Sequence, residues 1–479
     1  MPLILSGNVA SATVSADIVS NSCRFNAADS VRLYKTGSTG NRRTWTWSCW
    51  LKRCTLGGDG DHLIFGASSD DFSTDYLDIS FTSADKINIQ DYQGSEALRY
   101  LTTRVFRDVS AWMNIVIRVD TTQGTASNRL RIYINGVEET AFDTETDPSE
   151  DAELLVNKNV VHQVGGRTGA YGGLYMAECV LIDGSSLAPT SFGEFNSDSP
   201  TIWQPIDVSG LTFGTNGFYL DFEASDNLGN DANGGTDLTE DNLAATDSST
   251  DSPTHNFATL NPLDHYYNAT TSTGGTLSEG STKFVIASGN KGFARSTIGV
   301  TAGKWYWECK LHAVSKGFLG VCNNDVLVQD STPQHNAIYL YEATPDFRSG
   351  DQILTTGVAS ISTNDIMNFA LDMDNYAFYI GVNNSWMNSG DPESGSSRTG
   401  AISELFTTGR AIIRDSGAMF ANLLNTSTSG GINTSMNFGC PPYANSSDAA
   451  DANGFGAFEF SPPSGYLALC TKNLGSDGG

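Results

Sequence analysis

Two carboxylates stand at alternate positions in Tyr219-Leu220-Asp221-Phe222-Glu223. On a strand, Asp221 and Glu223 would project from one face, and paired carboxylates on one face are the equipment of glycoside hydrolysis. In the pattern Glu-x-Asp-x-Glu that chemistry needs a further acid at the position Tyr219 holds. No catalytic residue is therefore assigned, and the chain is not expected to be an enzyme. Hard oxygen ligands gather on turn-prone backbone in Asp59-Gly60-Asp61 and in Asp226-Asn227-Leu228-Gly229-Asn230-Asp231. Neither matches an EF-hand loop with its closing glutamate, so no metal site is assigned, and calcium is the one cofactor left open. The histidines at 62, 162, 255, 265, 312 and 335 are scattered, and the sequence holds no nucleophile elbow, zinc helix or phosphate loop. Aromatic rings beside turns are the remaining chemistry. Tyr171 lies in Gly169-Ala170-Tyr171-Gly172-Gly173, where glycines give a ring little to pack on, and Trp386 follows Val382-Asn383-Asn384-Ser385. An exposed ring stacks on a sugar or packs at a protein contact. Tyr171 and Trp386 are thus the candidate ligand-binding residues, with burial in a core as the competing reading.

The elements that must position these residues are strands. Trp45-Thr46-Trp47-Ser48-Cys49-Trp50-Leu51-Lys52 and Lys304-Trp305-Tyr306-Trp307-Glu308 place large apolar groups on both faces, as strands between layers do. Further strand signals fall at 22–26, 62–66, 76–81, 111–120 and 130–135, then at 318–322, 337–341, 366–372, 377–382 and 466–471. In Ile115-Val116-Ile117-Arg118-Val119 the odd positions face one way and Arg118 the other, which reads as a half-buried strand. Leu130 to Val137 reads as a hairpin, because Asn135-Gly136 suits the positive φ values of a type I′ turn. The fold class expected is all-β, two tandem antiparallel sandwiches, with neither helical periodicity nor coiled-coil heptads.

A chain of 479 residues is too long for one core. The expected division is an N-terminal arm at 1–20, a sandwich at 21–223, an acidic linker at 224–256, a second sandwich at 257–474 and a tail at 475–479. The linker is assigned because Asp, Asn, Gly, Ser and Thr dominate it and bury little apolar surface. No Lys or Arg occurs between Arg167 and Lys283, and the acids there read as a solvated belt, with cation binding or a basic neighbour as the sharper alternative. A formal charge of −27 repels nucleic acid and anionic membrane surfaces. No segment has the apolar length of a membrane span and the first residues lack a signal-peptide pattern, so membrane insertion is not expected. Eight cysteines are too sparse for a disulfide framework and read as reduced, a Cys309–Cys322 bridge being the exception considered.

The segments Asn41 to Ser48, Leu130 to Gly136 and Gly214 to Phe222 resemble a laminin-G, or concanavalin A-like, domain. The second half resembles a SPRY domain: Gly303 to Glu308 is similar to its opening strand, Phe318-Leu319-Gly320-Val321 to the next, and Asp365 to Asp374 to its central strand. A SPRY domain usually carries Asn-Gly in the turn where this chain has Asn383-Asn384. The pairing, the join at Asp251 to Leu263 and the close at Phe460 to Cys470 resemble virion proteins of tailed bacteriophages. The resemblance implies a structural protein of the virion, made in the host cytoplasm: a compact tail or head fibre that adsorbs to a host-surface glycan or protein. It further implies contacts with other virion proteins, homo-oligomerisation with a trimer as the first assembly to consider, and virion attachment through the arm. The alternatives are a purely architectural decoration or collar protein and, further off, a secreted glycan-degrading enzyme.

Overall fold

The computed structural model describes residues 4–5, 19–58, 61–264, 274–323, 337–349, 352–356, 359–402, 417–427 and 429–477. They form two compact units, an N-terminal one up to Thr254 and a C-terminal one from His255 that also takes in Ile4–Leu5. Each unit is a sandwich of two sheets.

Among the described residues, the first sheet of the N-terminal unit has eight strands. In spatial order they are Val137–Glu139, Leu130–Ile134, Met113–Asp120, Thr44–Arg53, Leu174–Asp183, Ser22–Phe25 and Ser248–Ser249, with Phe218–Leu220 also paired to Leu174–Asp183. The second sheet runs Phe142–Thr146, Glu96–Thr102, Ile87–Gln93, Asp75–Phe81, His62–Ser68, Val161–Val164, Arg32–Thr36 and Thr239–Asp241. Alternation along Thr44–Arg53 sends Trp45, Trp47, Cys49 and Leu51 between the sheets, where they meet Phe65, Leu77 and Ile79. Trp47 stacks on Phe65 with ring centres 4.2 Å apart. Each such side chain contributes about 1.5–3 kcal/mol by leaving water. The Asn135-Gly136 turn forms as expected, with φ of 49° and 75°. The strand through Val116 is buried on both faces rather than one, because Val116, Val180 and Ile182 pack with Phe192, Val208 and Phe213 on the outer side.

Residues 224–256 are not a linker. Leu228 and Leu238 enter the core, Thr239–Asp241 closes one sheet edge and Ser248–Ser249 the other. Composition misleads here because the aspartates satisfy backbone donors internally. Asp231 accepts from Tyr219 N–H, Asp237 from Asp231 N–H and Asp247 from Ala244 N–H. The acids are not all a solvated belt either, since Asp251 is buried, with Lys52 Nζ at 2.7 Å and Trp112 Nε1 at 3.0 Å.

In the C-terminal unit one sheet runs Thr276–Ser278, Lys283–Ile286, Ile432–Asn437, Lys304–Ala313, Ile366–Asp372, Ala377–Val382 and Ser385–Trp386, with Leu467–Ala468 added in parallel to Lys304–Ala313. The other runs Gly292–Arg295, Met419–Asn425, Phe318–Asn323, Ala337–Tyr341, Asp346–Ser349 and Gln352–Thr355. Trp305, Trp307, Cys309 and Leu311 face the core, and Trp307 stacks on Phe369 at 5.6 Å. Of the expected strand at 466–471, Leu467–Ala468 pairs as a strand and Cys470 through a single antiparallel bridge to Phe257. The helix Thr471–Asp477 follows, covering the start of the expected tail and burying Asn473 and Leu474. At the other end of the chain, Ile4–Leu5 of the expected arm pairs in parallel with Ile298–Gly299 of this unit. All eight cysteines are buried and none is in a disulfide. The Cys309–Cys322 bridge does not form, because Cys309 lies in the core between the sheets and Cys322 in a separate outer cluster.

Candidate ligand-binding face

The strand Asp75–Phe81 alternates strictly. Leu77, Ile79 and Phe81 enter the core, so Tyr76, Asp78 and Ser80 project from the outward face of the second sheet. Register then builds rows across that face. One row is Gln163, Gly66, Asp78, Gln90 and Arg99; a neighbouring row contains Ser68, Tyr76 and Tyr92; a third contains Leu63, Ser80, Asn88 and Leu101. Gly66 is required at the centre, because a Cβ there would stand 2.6 Å from the Phe72 ring. The loop after His62–Ser68 folds back to lay Phe72 on that glycine, with Phe72 at φ 61°. Asp70 holds the loop by accepting from the N–H groups of Ser73, Thr74 and Asp75. Its hydrogen bond from the Thr74 hydroxyl is the chief reason its carboxyl is held down to about 2.

The result is an aromatic ladder. Phe72 and Tyr76 lie 6.0 Å apart between ring centres, and Tyr76 and Tyr92 5.7 Å apart with 21° between planes. The Arg167 guanidinium sits 4.7 Å over the Phe72 ring, and its Nε is 3.5 Å from Asp78 Oδ2. Asp78 is 4% exposed, and burial raises its carboxyl above the usual range, with Ser80 and Arg167 opposing. Asp78 Oδ1, Ser80 Oγ, Asn88 Oδ1, Arg99 Nε and Arg167 Nε complete no hydrogen bond of good geometry among the described residues. Buried polar atoms left this way cost about 1–3 kcal/mol each unless water or a ligand meets them. Rings for stacking and directed donors and acceptors on one face suit recognition of a polar ring compound. The acids of the face are accompanied by cations, Asp78 by Arg167 and Glu96 by Arg99 at 3.9 Å.

Tyr171 stands on the hairpin Gly166–Arg167 with Ala170–Tyr171, half-buried and packed over Gly166. The hairpin's direct contribution to the face is Arg167. Trp386 belongs to the other unit, at a sheet edge, half-buried against Tyr379 with ring centres 6.5 Å apart. The two candidate rings therefore belong to separate sandwiches. The carboxylates of Tyr219-Leu220-Asp221-Phe222-Glu223 do not alternate along a strand. Pairing stops at Leu220, Phe222 takes φ 59°, and Asp221 accepts from Glu223 N–H. Tyr219 instead donates to Glu178, with oxygens 2.9 and 3.0 Å away. Of the two turns left open for calcium, Asp59 and Gly60 lie outside the described residues. In the other, Asp231 Oδ1 accepts from Tyr219 and Asn233 N–H. No three metal-ligating side chains gather among the described residues. Phe72, Tyr76, Asp78, Tyr92, Arg99 and Arg167 were missed in the sequence. The alternation of Tyr76, Asp78 and Ser80 within an expected strand was the signal that marks one polar, aromatic face.

A family profile described as the concanavalin A-like lectin/glucanases superfamily matches residues 25–170, and over these residues the N-terminal sandwich is concanavalin A-like. No curated protein matches the chain. Among solved structures, it is similar to the SPRY domain of human HERC1, with 16% identity over 32% of this chain and 87% of that one and a TM-score of 0.25. A heptameric SAP-like pentraxin from Limulus polyphemus aligns with 13% identity over 36% and 80%, at a TM-score of 0.27. Domain 4 of AbnA, a GH43 extracellular arabinanase from Geobacillus stearothermophilus in complex with arabinotriose, aligns with 14% identity over 33% and 68%, at 0.23.

Proposed function

We propose that the chain is a binding protein of a bacteriophage particle, a compact tail or head appendage that meets a glycan on the host surface through the outward face of its second sheet. The observation that supports binding is the Phe72, Tyr76 and Tyr92 ladder flanked by Asp78, Arg99 and Arg167. Ring stacking contributes about 0.5–1.5 kcal/mol beyond burial, and guanidinium donors fix the orientation of hydroxyl or carboxylate groups. The pairing of the face's acids with arginines favours binding over hydrolysis, which needs one carboxyl free to attack or accept a proton and another to donate one. The particle context rests on the resemblance of the tandem sandwiches and their join to phage virion proteins. Other virion proteins and further copies of the chain are then its partners.

The test is adhesion of the labelled full chain to host cells, before and after enzymatic removal of surface polysaccharide. Saturable adhesion that falls about tenfold in Phe72→Ala, Tyr76→Ala and Arg167→Ala, and with polysaccharide removal, is expected. Absence of adhesion by the assembled protein would point to an architectural decoration. Adhesion indifferent to the three substitutions would remove the role given to this face.

A further inference from the structure

A cavity of about 540 Å³ opens in the C-terminal unit, away from every residue given a role above. Its walls come from three places: the turn that leads from Lys304–Ala313 to Phe318–Asn323, the turn between Ala337–Tyr341 and Asp346–Ser349, and residues 359–361. Val314, Pro345, Ile361 and the carbon stem of Lys316 give it apolar sides, Ser360 lies at its exposed rim, and Glu342 is its acid.

Glu342 is 1% exposed. Its Oε2 accepts from Ser315 N–H at 2.8 Å and Gly317 N–H at 3.3 Å, while its own N–H donates to Gly317 O at 3.0 Å. These bonds pin the turn and use one carboxylate oxygen. The other, Oε1, has no hydrogen-bond partner among the described residues. Among the described residues no Lys or Arg forms an ion pair with Glu342, and the amine of Lys316 is bonded to Ser429 Oγ instead. Gly317 leaves Oε1 its place, since a Cβ there would crowd it at 2.8 Å. Burial accordingly pushes the carboxyl up to about 7. A buried acid that among the described residues has one unused oxygen and no counter-charge, at a cavity lined in part by apolar side chains, is suited to a cation.

We infer that this cavity binds an organic cation carried on an aliphatic stem, the group found at the end of a lysine or arginine side chain or in a free alkylamine. The ammonium or guanidinium would donate to Glu342 Oε1 and the stem would lie along Val314, Pro345 and Ile361. Lys316 stays out of the way, held on Ser429. This site is independent of the face proposed to meet the host surface, and the two stand or fall separately.

The test is calorimetric titration of the full chain at pH 8 with n-butylammonium, agmatine, Nα-acetyl-lysine amide and Nα-acetyl-arginine amide, with n-butanol as the neutral control. Saturable one-to-one binding of the cations, about tenfold tighter than any binding of butanol, is expected. Tighter binding of the two amides than of the free amines would identify a polypeptide side chain as the source, and the reverse order a free amine. Glu342→Gln keeps a carbonyl oxygen for Ser315 and Gly317 but turns an N–H toward the cation, so binding should weaken about tenfold. Ser360→Phe closes the rim without touching Glu342 and should weaken binding equally, which covers the case of a misfolded glutamine variant. Absence of saturable binding, equal binding of butanol, or full binding by Glu342→Gln or Ser360→Phe would overturn the assignment.

Discussion

Glu178 carries an unusual combination for a single residue. It sits inside the apolar run from Tyr175 to Ile182, at a bulge where the register to Thr44–Arg53 shifts between Ala177 and Val180, with φ at 49°. A side chain other than glycine in that conformation costs about 1 kcal/mol or more, and the Tyr219 hydroxyl between its two oxygens helps to hold it there. Burial, reinforced by Asp221, Glu223 and Asp207, raises its carboxyl from 4.5 to about 8. The folded chain therefore keeps a proton on Glu178 that the unfolded chain releases near 4.5, so this residue's contribution is complete below that value and is lost as pH rises toward 8. Glu178→Gln removes the titration while keeping the shape of the neutral acid. Stability of the N-terminal unit, followed by denaturant melts between pH 5 and 8, should fall less steeply in the variant, by up to about 1.4 kcal/mol per pH unit. Parallel profiles would show that Glu178 does not hold its proton. An acid within an unbroken apolar run was visible in the sequence, but its partner Tyr219 lies in a segment read there only for catalysis. Contact between the two depends on pairing that no local pattern announces.

Elements were legible where one physical rule decided them. Alternation located the strands around Trp47 and Trp307, and Asn135-Gly136 located its hairpin, because side-chain direction and positive φ are local properties. What failed were the elements built by polar groups. The acidic stretch at 224–256 joins both sheets of the first sandwich because its aspartates cap backbone donors, and a low apolar content hides that. The candidate face was half legible: its central strand was expected, but Phe72 and Arg167 reach it from a loop and a hairpin that only the fold brings near. The turn Asn383-Asn384 shows how one element divides its work. Both residues have positive φ, 46° and 63°. Asn383 Oδ1 accepts from Ile366 N–H and its amide donates to Asp365, whereas Asn384 uses its backbone N–H toward Asn368. Asn384→Gly should stabilise the C-terminal unit by a few tenths to about 1 kcal/mol, since glycine accepts that φ without strain. Asn383→Gly should destabilise it by about 1 kcal/mol or more through lost hydrogen bonds. Chemical denaturation of both variants reads the signs, and equal effects would mean that conformation alone governs the turn.

At the scale of the whole molecule, charge and buried acids act in the same direction. The chain carries −27 at neutral pH, so its folded units repel themselves more as pH rises and their acids ionise. Burial raises Asp91 to about 6 and Glu178 to about 8 in the first unit, and Glu308 and Glu342 to about 7 in the second. Each of these groups binds its proton more tightly folded than unfolded, so each loses its contribution as pH climbs through its folded value. His162 works from the other side. Burial lowers it from 6.5 to about 4, so the unfolded chain is protonated first and stability is withdrawn between those values as pH falls. Burial raises Asp78 and Asp247 as well, so one histidine opposes four acids in the first unit. In the second, His312 is likewise lowered, chiefly by burial, against two acids. The acids prevail until pH approaches their unfolded values, which puts greatest stability at about pH 5 rather than near neutrality. Scanning calorimetry from pH 5 to 9 at constant ionic strength should show transition temperatures falling steadily, and added salt should recover part of the loss at pH 8 by screening the net charge. A maximum at pH 7 or above would mean that these carboxyls hold their protons no more tightly in the folded protein than in the unfolded chain.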